Sequence, residues 1–186
     1  MPLITFGHGT ASAERIAGLL GAAELTALVD VRIAPGSRRH PQVARAELER
    51  WLPDYGLSYR WEKRLGGFRR PAPGSPDVAW REEAFRGYAG YMRQPEFAAA
   101  IDEVLAQAAA QRVAVMCSES LWWRCHRRLI ADFAEIAREV PVRHLMHDGR
   151  LAAHRPSPGV RLREDGLLVY DAGQEQLEWE QPDMRS

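Results

Sequence analysis

Apolar runs of strand length alternate with amphipathic segments of helical length along most of the chain. The apolar runs are residues 3–6, 25–31, 57–61, 112–116 and 142–146. Continuous apolar runs of this kind are typical of a parallel sheet that is covered on both faces. Segments with helical spacing lie between or after them, at residues 13–20, 42–52, 82–92, 95–110 and 121–138. The alternation predicts an α/β fold, a three-layer Rossmann-like sandwich with a mostly parallel sheet of about five strands.

The remaining segments predict one domain with a short tail. Residues 160–162 and 167–170 flank a Glu-Asp-Gly turn and predict a small hairpin. A length of 186 residues suits one compact domain, which we expect over residues 1–173, followed by a flexible polar tail at residues 174–186. The apolar runs are too short to span a bilayer, and the first ten residues lack the features of a signal peptide. We therefore expect a cytoplasmic protein without a membrane partner; the oligomeric state stays open.

Polar and reactive side chains follow each predicted strand at the point where it ends. The five strands are followed, in chain order, by His8, Arg32, Trp61, Cys117 with Glu119, and His147. The carboxyl ends of parallel strands meet at one edge of a sheet, and ligands bind beyond that edge. These side chains are therefore expected to form one site.

Both cysteines of the chain lie near this edge. Cys117 ends the fourth strand and opens a loop toward a helix, where a thiol pKa is lowered, so Cys117 is a candidate nucleophile. Cys125 falls between Leu121 and Leu129 with the spacing of a core-facing helical stripe, and is expected in the core. The spacing of Cys117, Cys125 and His126 matches no common zinc pattern. No cofactor is therefore predicted, and a metal held by these three residues is kept as an alternative.

Basic side chains gather after three of the predicted strands, although the net charge of the whole chain is zero. Arg124 and Arg127 fall in the first turns of the helix predicted over residues 121–138, where the helix dipole disfavours cations. A bound anion would offset that cost, whereas Arg128 is expected to pair with Asp132. The other two basic clusters and the residues beside them supply further candidates for binding an anion or substrate: Arg32, Ser37, Arg38, Trp61, Gly66 and Gly67.

Charged groups for phosphate and flat rings for bases are what a nucleotide or a single-stranded nucleic acid requires. We therefore expect an enzyme, a hydrolase or transferase, that acts on a phosphate-bearing small molecule or on nucleic acid. Glu119 or His8 would serve as general acid or base, Cys117 as nucleophile, and His126 would orient a neighbouring group. Two alternatives stay open: a non-catalytic module that binds anions or nucleic acid, and a cysteine-dependent enzyme similar to sulfurtransferases.

Several short motifs occur together here and in one known family. They are FGH near the start, LVDVR-x-x-P-x-S-R-R, LGG after the third strand, FRGYAGYM, MCSES-x-x-x-x-CHR-x-x-I-A, and DGRL-x-x-H at residues 148–154. On these motifs, residues 3–155 resemble the family called domain of unknown function 488, which is related to the YeaO-like proteins. The family typically begins TIGHS, whereas this chain has TFGHG, with Gly9 at the hydroxyl position. The resemblance implies shared motif residues and assigns no activity to them.

Overall fold

Eight strands form two sheets in the computed structural model, which describes residues 1–171. The strands are β1 (Leu3–Gly7), β2 (Ala27–Asp30), β3 (Ser58–Trp61), β4 (Val113–Cys117), β5 (Val142–Leu145), β6 (Leu151–Ala153), β7 (Val160–Leu162) and β8 (Leu168–Tyr170). The main sheet has the order β3-β2-β4-β1-β5-β6, and every pairing in it is parallel except that of β5 with β6. The predicted mostly parallel α/β sheet is confirmed, whereas the predicted tail at residues 174–186 lies outside the described residues.

Helices cover both faces of the main sheet. They are α1 (Ala13–Ala22), α2 (Arg45–Trp51), α3 (Glu83–Tyr91), α4 (Pro95–Ala110) and α5 (Arg127–Asp132). One apolar core lies between the sheet and α3, α4 and α5, and includes Val115 and Phe97. The other lies between the sheet and α1 and α2, and includes Met116 and Leu20. Consecutive residues of β4 point into opposite cores, which is why continuous apolar strands predict a sandwich of three layers.

The prediction of a helix over residues 121–138 is wrong for its first third, residues 121–126. Trp122–Arg124 form a 3-10 turn, and Cys125 has extended backbone angles (φ −127°, ψ 150°), so α5 begins only at Arg127. The chain then continues from α5 as a π-helical turn, Phe133–Ala137. Arg124 therefore lies in a loop, where no dipole of a long helix acts on it.

A tertiary contact explains why residues 121–126 do not continue the helix. The indole ring of Trp122 stacks almost parallel on the imidazole of His144 in β5, with ring centroids 4.0 Å apart. Contacts of this kind override the weak preference of a segment for helix. The predicted pairing of Arg128 with Asp132 is also wrong, because the guanidinium of Arg128 lies over the ring of Trp80, 5.1 Å from its centroid.

The short strand β6 is not evident from the sequence pattern. It has only three residues, it pairs antiparallel with β5 at the edge of the sheet, and Leu151 is 40% exposed. A strand that buries so little leaves no apolar run to detect. The predicted hairpin is confirmed by the antiparallel pairing of β7 with β8, with Gly166 in the turn at φ 77°.

A chain of hydrogen bonds between buried polar side chains joins β1, β5, α5 and β8. Thr5 Oγ1 donates to Nδ1 of His144 at 2.6 Å, and Nε2 of the same imidazole donates to Nδ1 of His154 at 3.0 Å. Nε2 of His154 in turn donates to Oδ1 of Asp132 at 2.9 Å, and the phenol of Tyr170 donates to Oδ2 at 2.9 Å. The direction of each bond follows from the ionised carboxylate at its end, which only accepts.

Candidate functional site

Two adjoining cavities open at the carboxyl edge of the main sheet, where β2, β4 and β1 end side by side. The aromatic cavity, of about 320 Å³, is lined by Phe68, Phe85, Tyr88, Cys117, Cys125 and His126, among others. The polar cavity, of about 650 Å³, is lined by His8, Ser37, Arg39, His40, Ser120 and His147, among others. Arg32 and Glu119 line both cavities. The predicted convergence of strand-end side chains at one edge is therefore confirmed for His8, Arg32, Cys117, Glu119 and His147.

Cys117, Cys125 and His126 bring three reactive atoms together in the wall of the aromatic cavity. Nδ1 of His126 lies 3.8 Å from the sulfur of Cys117 and 3.6 Å from that of Cys125. Nε2 of the ring lies 3.2 Å from the carbonyl oxygen of Val31. Nε2 therefore carries the proton, and Nδ1 presents its lone pair to both sulfurs. The two sulfurs and the imidazole nitrogen all lie within 4.8 Å of one another.

The two thiols have pKa values that move in opposite directions. A hydrogen bond from the Cys117 thiol, together with the charge of Arg127, lowers the pKa of Cys125 well below its usual value. The same hydrogen bond and burial raise the pKa of Cys117 well above its usual value. These directions place negative charge preferentially on Cys125, the sulfur that Arg127 also contacts. From sequence, Cys117 is the predicted nucleophile, and that assignment stays a prediction.

The guanidinium of Arg127 supports this wall from inside the protein. Arg127 is 1% exposed, its Nε donates to the sulfur of Cys125 at 3.4 Å, and its Nη2 donates to the carbonyl oxygen of Glu119. Gly7 leaves room for this arrangement, because a Cβ at Gly7 would lie 2.5 Å from Nη2. Arg127 thus lies beside a thiolate rather than at the surface of either cavity, where a substrate anion would meet it.

Arg32 is fixed by a buried carboxylate. Its Nε donates to Asp30 Oδ1 at 2.9 Å, and its Nη2 donates to Asp30 Oδ2 at 2.5 Å and to the carbonyl oxygen of Val43 at 2.7 Å. The phenol of Tyr59 also donates to Asp30 Oδ2, at 2.8 Å. The remaining nitrogen, Nη1, lies 3.3 Å from Nε2 of His8. The cation of Arg32 is therefore held rigidly at the boundary of the two cavities.

His8 is neutral near pH 7. Its Nδ1 lies 2.8 Å from the carbonyl oxygen of Gly9 and donates to it, so Nε2 accepts from Arg32. Burial and the charge of Arg32 lower the pKa of His8 to about 4. Gly9 itself has a left-handed backbone (φ 54°), and a Cβ there would lie 3.2 Å from Cε1 of His147. The glycine that departs from the TIGHS pattern therefore suits the local backbone.

Glu119 lies in the loop that follows β4, at the boundary of the two cavities. Its Oε1 accepts a hydrogen bond from the backbone N–H of Leu121 at 3.1 Å, and the hydroxyl of Ser120 lies 3.5 Å from the same oxygen. The residue is half-buried. Glu119 therefore lies on the wall that the polar cavity and the aromatic cavity share.

The other predicted residues divide between the cavities and their surroundings. Gly67 and Arg124 line the aromatic cavity, and Ser37 lines the polar one. Trp61 instead lies behind the site, where its Nε1 donates to the carbonyl oxygen of Arg32 at 2.7 Å. A Cβ at Gly66 would lie 2.8 Å from Cδ1 of Ile33, so this glycine permits close packing of the loop. Arg38 is exposed on the loop after β2.

Sequence reasoning missed the aromatic rings of the cavity. Phe85 and Tyr88 come from α3, and Tyr88 donates to the carbonyl oxygen of Leu65 at 2.7 Å, which ties α3 to the glycine loop. Phe68 follows Gly67 and is 87% exposed, with a left-handed φ of 59°. The FRGYAGYM motif contains two of these three rings, so this motif is the sequence feature that could have indicated an aromatic cavity. Arg39 and His40, next to the predicted Arg38, also line the polar cavity.

These features define an α/β protein with thiol, imidazole, carboxylate and guanidinium groups at the carboxyl edge of a parallel sheet. The chain belongs to the family described as domain of unknown function DUF488, whose family model matches residues 12–134. The resemblance found in the motifs is thereby confirmed. Comparison with curated proteins and with solved structures gave no match. Among the helices of residues 1–171, none has both the length and the apolar character needed to cross a membrane.

Proposed function

We propose that this protein is an enzyme, a hydrolase or transferase, that acts on a phosphate-bearing substrate such as a nucleotide. The observation that carries the proposal is the position of Glu119 on the wall of both cavities. A substrate with an anionic group in one cavity and a flat apolar group in the other would place its central bonds beside this carboxylate. General acid–base chemistry requires such a group within hydrogen-bond reach of the reacting atoms.

The polar cavity suits the phosphate. Arg39, His40 and Ser37 line it together with Arg32, and they supply cationic and neutral hydrogen-bond donors. Arg39 is exposed, so a phosphate would not need to displace a buried partner of its guanidinium. Arg32 borders the same space, but Asp30 already compensates its charge and most of its nitrogens bind Asp30 and Val43, so Arg39 supplies the positive charge that is free to meet a phosphate.

The aromatic cavity suits a base or another flat apolar group. Phe68, Phe85 and Tyr88 line it, and stacking on aromatic rings contributes about 1–3 kcal/mol per base in other nucleic-acid-binding proteins. Arg124 is exposed at the same cavity and can approach a phosphate or the face of a base. The combination of one aromatic and one basic cavity favours a nucleotide over inorganic phosphate.

Glu119 is the better candidate for acid–base chemistry than His8. The pKa of His8 is lowered to about 4, and its Nε2 already accepts from Arg32. His8 is therefore uncharged at pH 7, its Nδ1–H is bound to the carbonyl oxygen of Gly9, and it has no free lone pair to accept a proton. Its role in the proposal is to hold Arg32 in place.

A binding and turnover experiment tests the proposal. Thermal unfolding would be followed with nucleoside mono-, di- and triphosphates, short oligonucleotides and inorganic phosphate. A ligand at about a hundred times its dissociation constant adds about 2.7 kcal/mol, which corresponds to a shift of about 5–10 °C for a chain of this size. The shift should be lost in Arg39→Ala and kept in Arg81→Ala, an exposed arginine outside both cavities. No shift with any of these ligands, or equal loss in both variants, would contradict the proposal.

Glu119→Gln separates an enzyme from a binding module. Conversion of the ligand found above would be followed by chromatography, and Glu119→Gln is expected to lower turnover by about 10²–10⁴-fold while leaving the thermal shift intact. Binding of the ligand by wild type without any conversion would instead support a non-catalytic module.

A second candidate, a thiol enzyme, is supported by one observation. The pKa of Cys125 is lowered by the hydrogen bond from Cys117 and by the charge of Arg127, which is the condition for a reactive thiolate. The rate of alkylation by iodoacetamide against pH tests this candidate. A thiolate of this kind reacts well below pH 8, whereas a rate that rises only near the ordinary thiol pKa of about 8.5 would exclude it.

A further inference from the structure

We infer that Cys117, Cys125 and His126 form a zinc site with one open coordination position that faces the aromatic cavity. Two thiolates and one imidazole are a ligand set that zinc prefers, and three protein ligands with a vacant fourth position are typical of catalytic rather than structural zinc. Metal binding itself rests on the ligand geometry alone. A role of the metal in catalysis rests in addition on the function proposed above.

The distances between the ligand atoms fit a tetrahedral ion. With Zn–S near 2.3 Å and Zn–N near 2.0–2.1 Å, a tetrahedral site requires sulfur-to-nitrogen distances of about 3.5–3.6 Å. Nδ1 of His126 lies 3.6 Å from the sulfur of Cys125 and 3.8 Å from that of Cys117. Side-chain adjustments of a few tenths of an ångström would therefore complete the site.

The surroundings orient these ligands as metal sites require. Metal-binding histidines usually donate their second ring N–H to a carbonyl or carboxylate, which fixes the tautomer. Nε2 of His126 does so to the carbonyl oxygen of Val31 at 3.2 Å. The Nε of Arg127 donates to the sulfur of Cys125 at 3.4 Å, which stabilises the charge of that thiolate. The first interaction favours the imidazole tautomer that binds a metal and the second favours the thiolate of Cys125, whereas Cys117 would release its proton as the metal binds.

The fourth position opens toward space that a substrate can enter. All three ligand residues line the aromatic cavity, together with Glu119. Gly67 lies over the imidazole, and a Cβ there would be 3.1 Å from Nδ1, so only a glycine leaves the approach to this nitrogen uncrowded. Zinc lowers the pKa of a bound water to about 7. The water proton would pass to the carboxylate of Glu119, and the resulting hydroxide would be the nucleophile of a hydrolase.

Metal analysis and cobalt substitution test the site. Protein purified from zinc-supplemented culture is expected to contain about one zinc ion per chain, and Cys117→Ser, Cys125→Ser and His126→Asn should each lose it. The variant His40→Asn, at the polar cavity, should retain it. Because a cysteine variant can fail to fold, wild-type protein reconstituted with Co²⁺ gives an independent readout. A thiolate-to-cobalt charge-transfer band with intense visible d–d bands is expected for tetrahedral coordination.

Several outcomes would overturn the zinc site. These are less than a tenth of the expected zinc in wild-type protein, cobalt spectra without thiolate bands, or a disulfide between Cys117 and Cys125 in protein purified without reductant. Measuring the nucleotide-induced thermal shift on zinc-loaded and chelator-treated protein separates this inference from the proposed function. If the protein binds zinc but no nucleotide shifts its thermal unfolding, the zinc site is supported and the proposed function is contradicted. If a nucleotide shifts the unfolding of a chain that binds no metal, the proposed function is supported and the zinc site is contradicted.

Discussion

Nε2 of His154 donates a hydrogen bond to Oδ1 of Asp132 across 2.9 Å, and both side chains are fully buried. The backbone N–H of Ser157 donates to the same oxygen at 2.9 Å, and the phenol of Tyr170 donates to the other. One carboxylate thus accepts three hydrogen bonds from two parts of the chain, residues 154–157 and Tyr170, which are both distant from Asp132 in sequence. Burial of a charge is tolerated when its oxygens are satisfied in this way.

Replacing Asp132 by alanine is expected to lower the free energy of unfolding by about 3–5 kcal/mol, because three buried donors lose their acceptor. Tyr170→Phe removes one donor and leaves the carboxylate with two, so a loss of about 1 kcal/mol is expected. Urea denaturation measures both. Similar losses in the two variants would show that Asp132 is not the shared acceptor.

Stability is expected to fall as the pH is lowered from about 6.5 to 4. Burial lowers the pKa of His144 to about 3, and burial with Arg32 lowers that of His8 to about 4. Both histidines titrate near 6.5 in the unfolded chain, so in this window the unfolded state binds protons that the folded state does not. Each histidine is expected to contribute a slope of up to about 1.4 kcal/mol per pH unit.

The variant His8→Gln isolates one of these two contributions. Denaturation curves at pH 7, 6 and 5 should show a shallower loss of stability than in wild type, whatever the change in stability at pH 7. An unchanged slope in His8→Gln would mean that this imidazole is protonated in the folded protein.

Arg32→Met tests the buried ion pair beneath the cavities. The substitution leaves the carboxylate of Asp30 buried with only the phenol of Tyr59 and backbone groups near it, and a loss of about 3–5 kcal/mol is expected. Adding Asp30→Asn should recover part of that loss, since no uncompensated charge then remains. A double-mutant cycle by urea denaturation measures the coupling, and additive effects would contradict it.

Gly7→Ala and Gly18→Ala should change stability in opposite directions. A methyl group at position 7 would collide with the carbonyl oxygen of Glu119 and with Nη2 of Arg127, so the variant should be destabilised by more than about 1 kcal/mol. Gly18 is exposed within α1 with nothing near its missing Cβ, so alanine there should stabilise by about 0.5–1 kcal/mol. Thermal unfolding of both variants measures this. Stabilisation by Gly7→Ala would refute the close approach of Arg127.

The parts of the fold that sequence predicts well are those with strong periodicity. The bounds of α4 agree with the prediction because Pro95 marks its first turn and apolar residues recur at helical spacing up to Ala110. The four-residue spacing of Leu121, Cys125 and Leu129 predicts a helix as clearly as the spacing in α4 does. The stacking of Trp122 on His144 nevertheless holds that segment in another conformation. Contacts between residues distant in sequence leave no local signal.

The candidate site likewise has features that the sequence predicts and features that depend on contacts between distant residues. The position of Cys117 and Glu119 at the end of β4 is predictable, because strand ends follow from the apolar pattern. The closeness of the two sulfurs and the imidazole nitrogen of His126, all within 4.8 Å of one another, depends on how the loop after β4 folds back. The burial of Arg127 also could not be predicted, because an arginine in a basic cluster is ordinarily exposed.

The close approach of the loop after β4 to Gly7 has a consequence for how relatives of this protein vary. The nearest neighbour of a Cβ at position 7 would be the backbone carbonyl oxygen of Glu119, at 1.9 Å, and every residue type at position 119 carries that carbonyl. Exchange of the arginine at position 127 would therefore not make room for a side chain at position 7. Over evolutionary time, position 7 is expected to stay glycine in chains that keep this loop, whatever they carry at position 127.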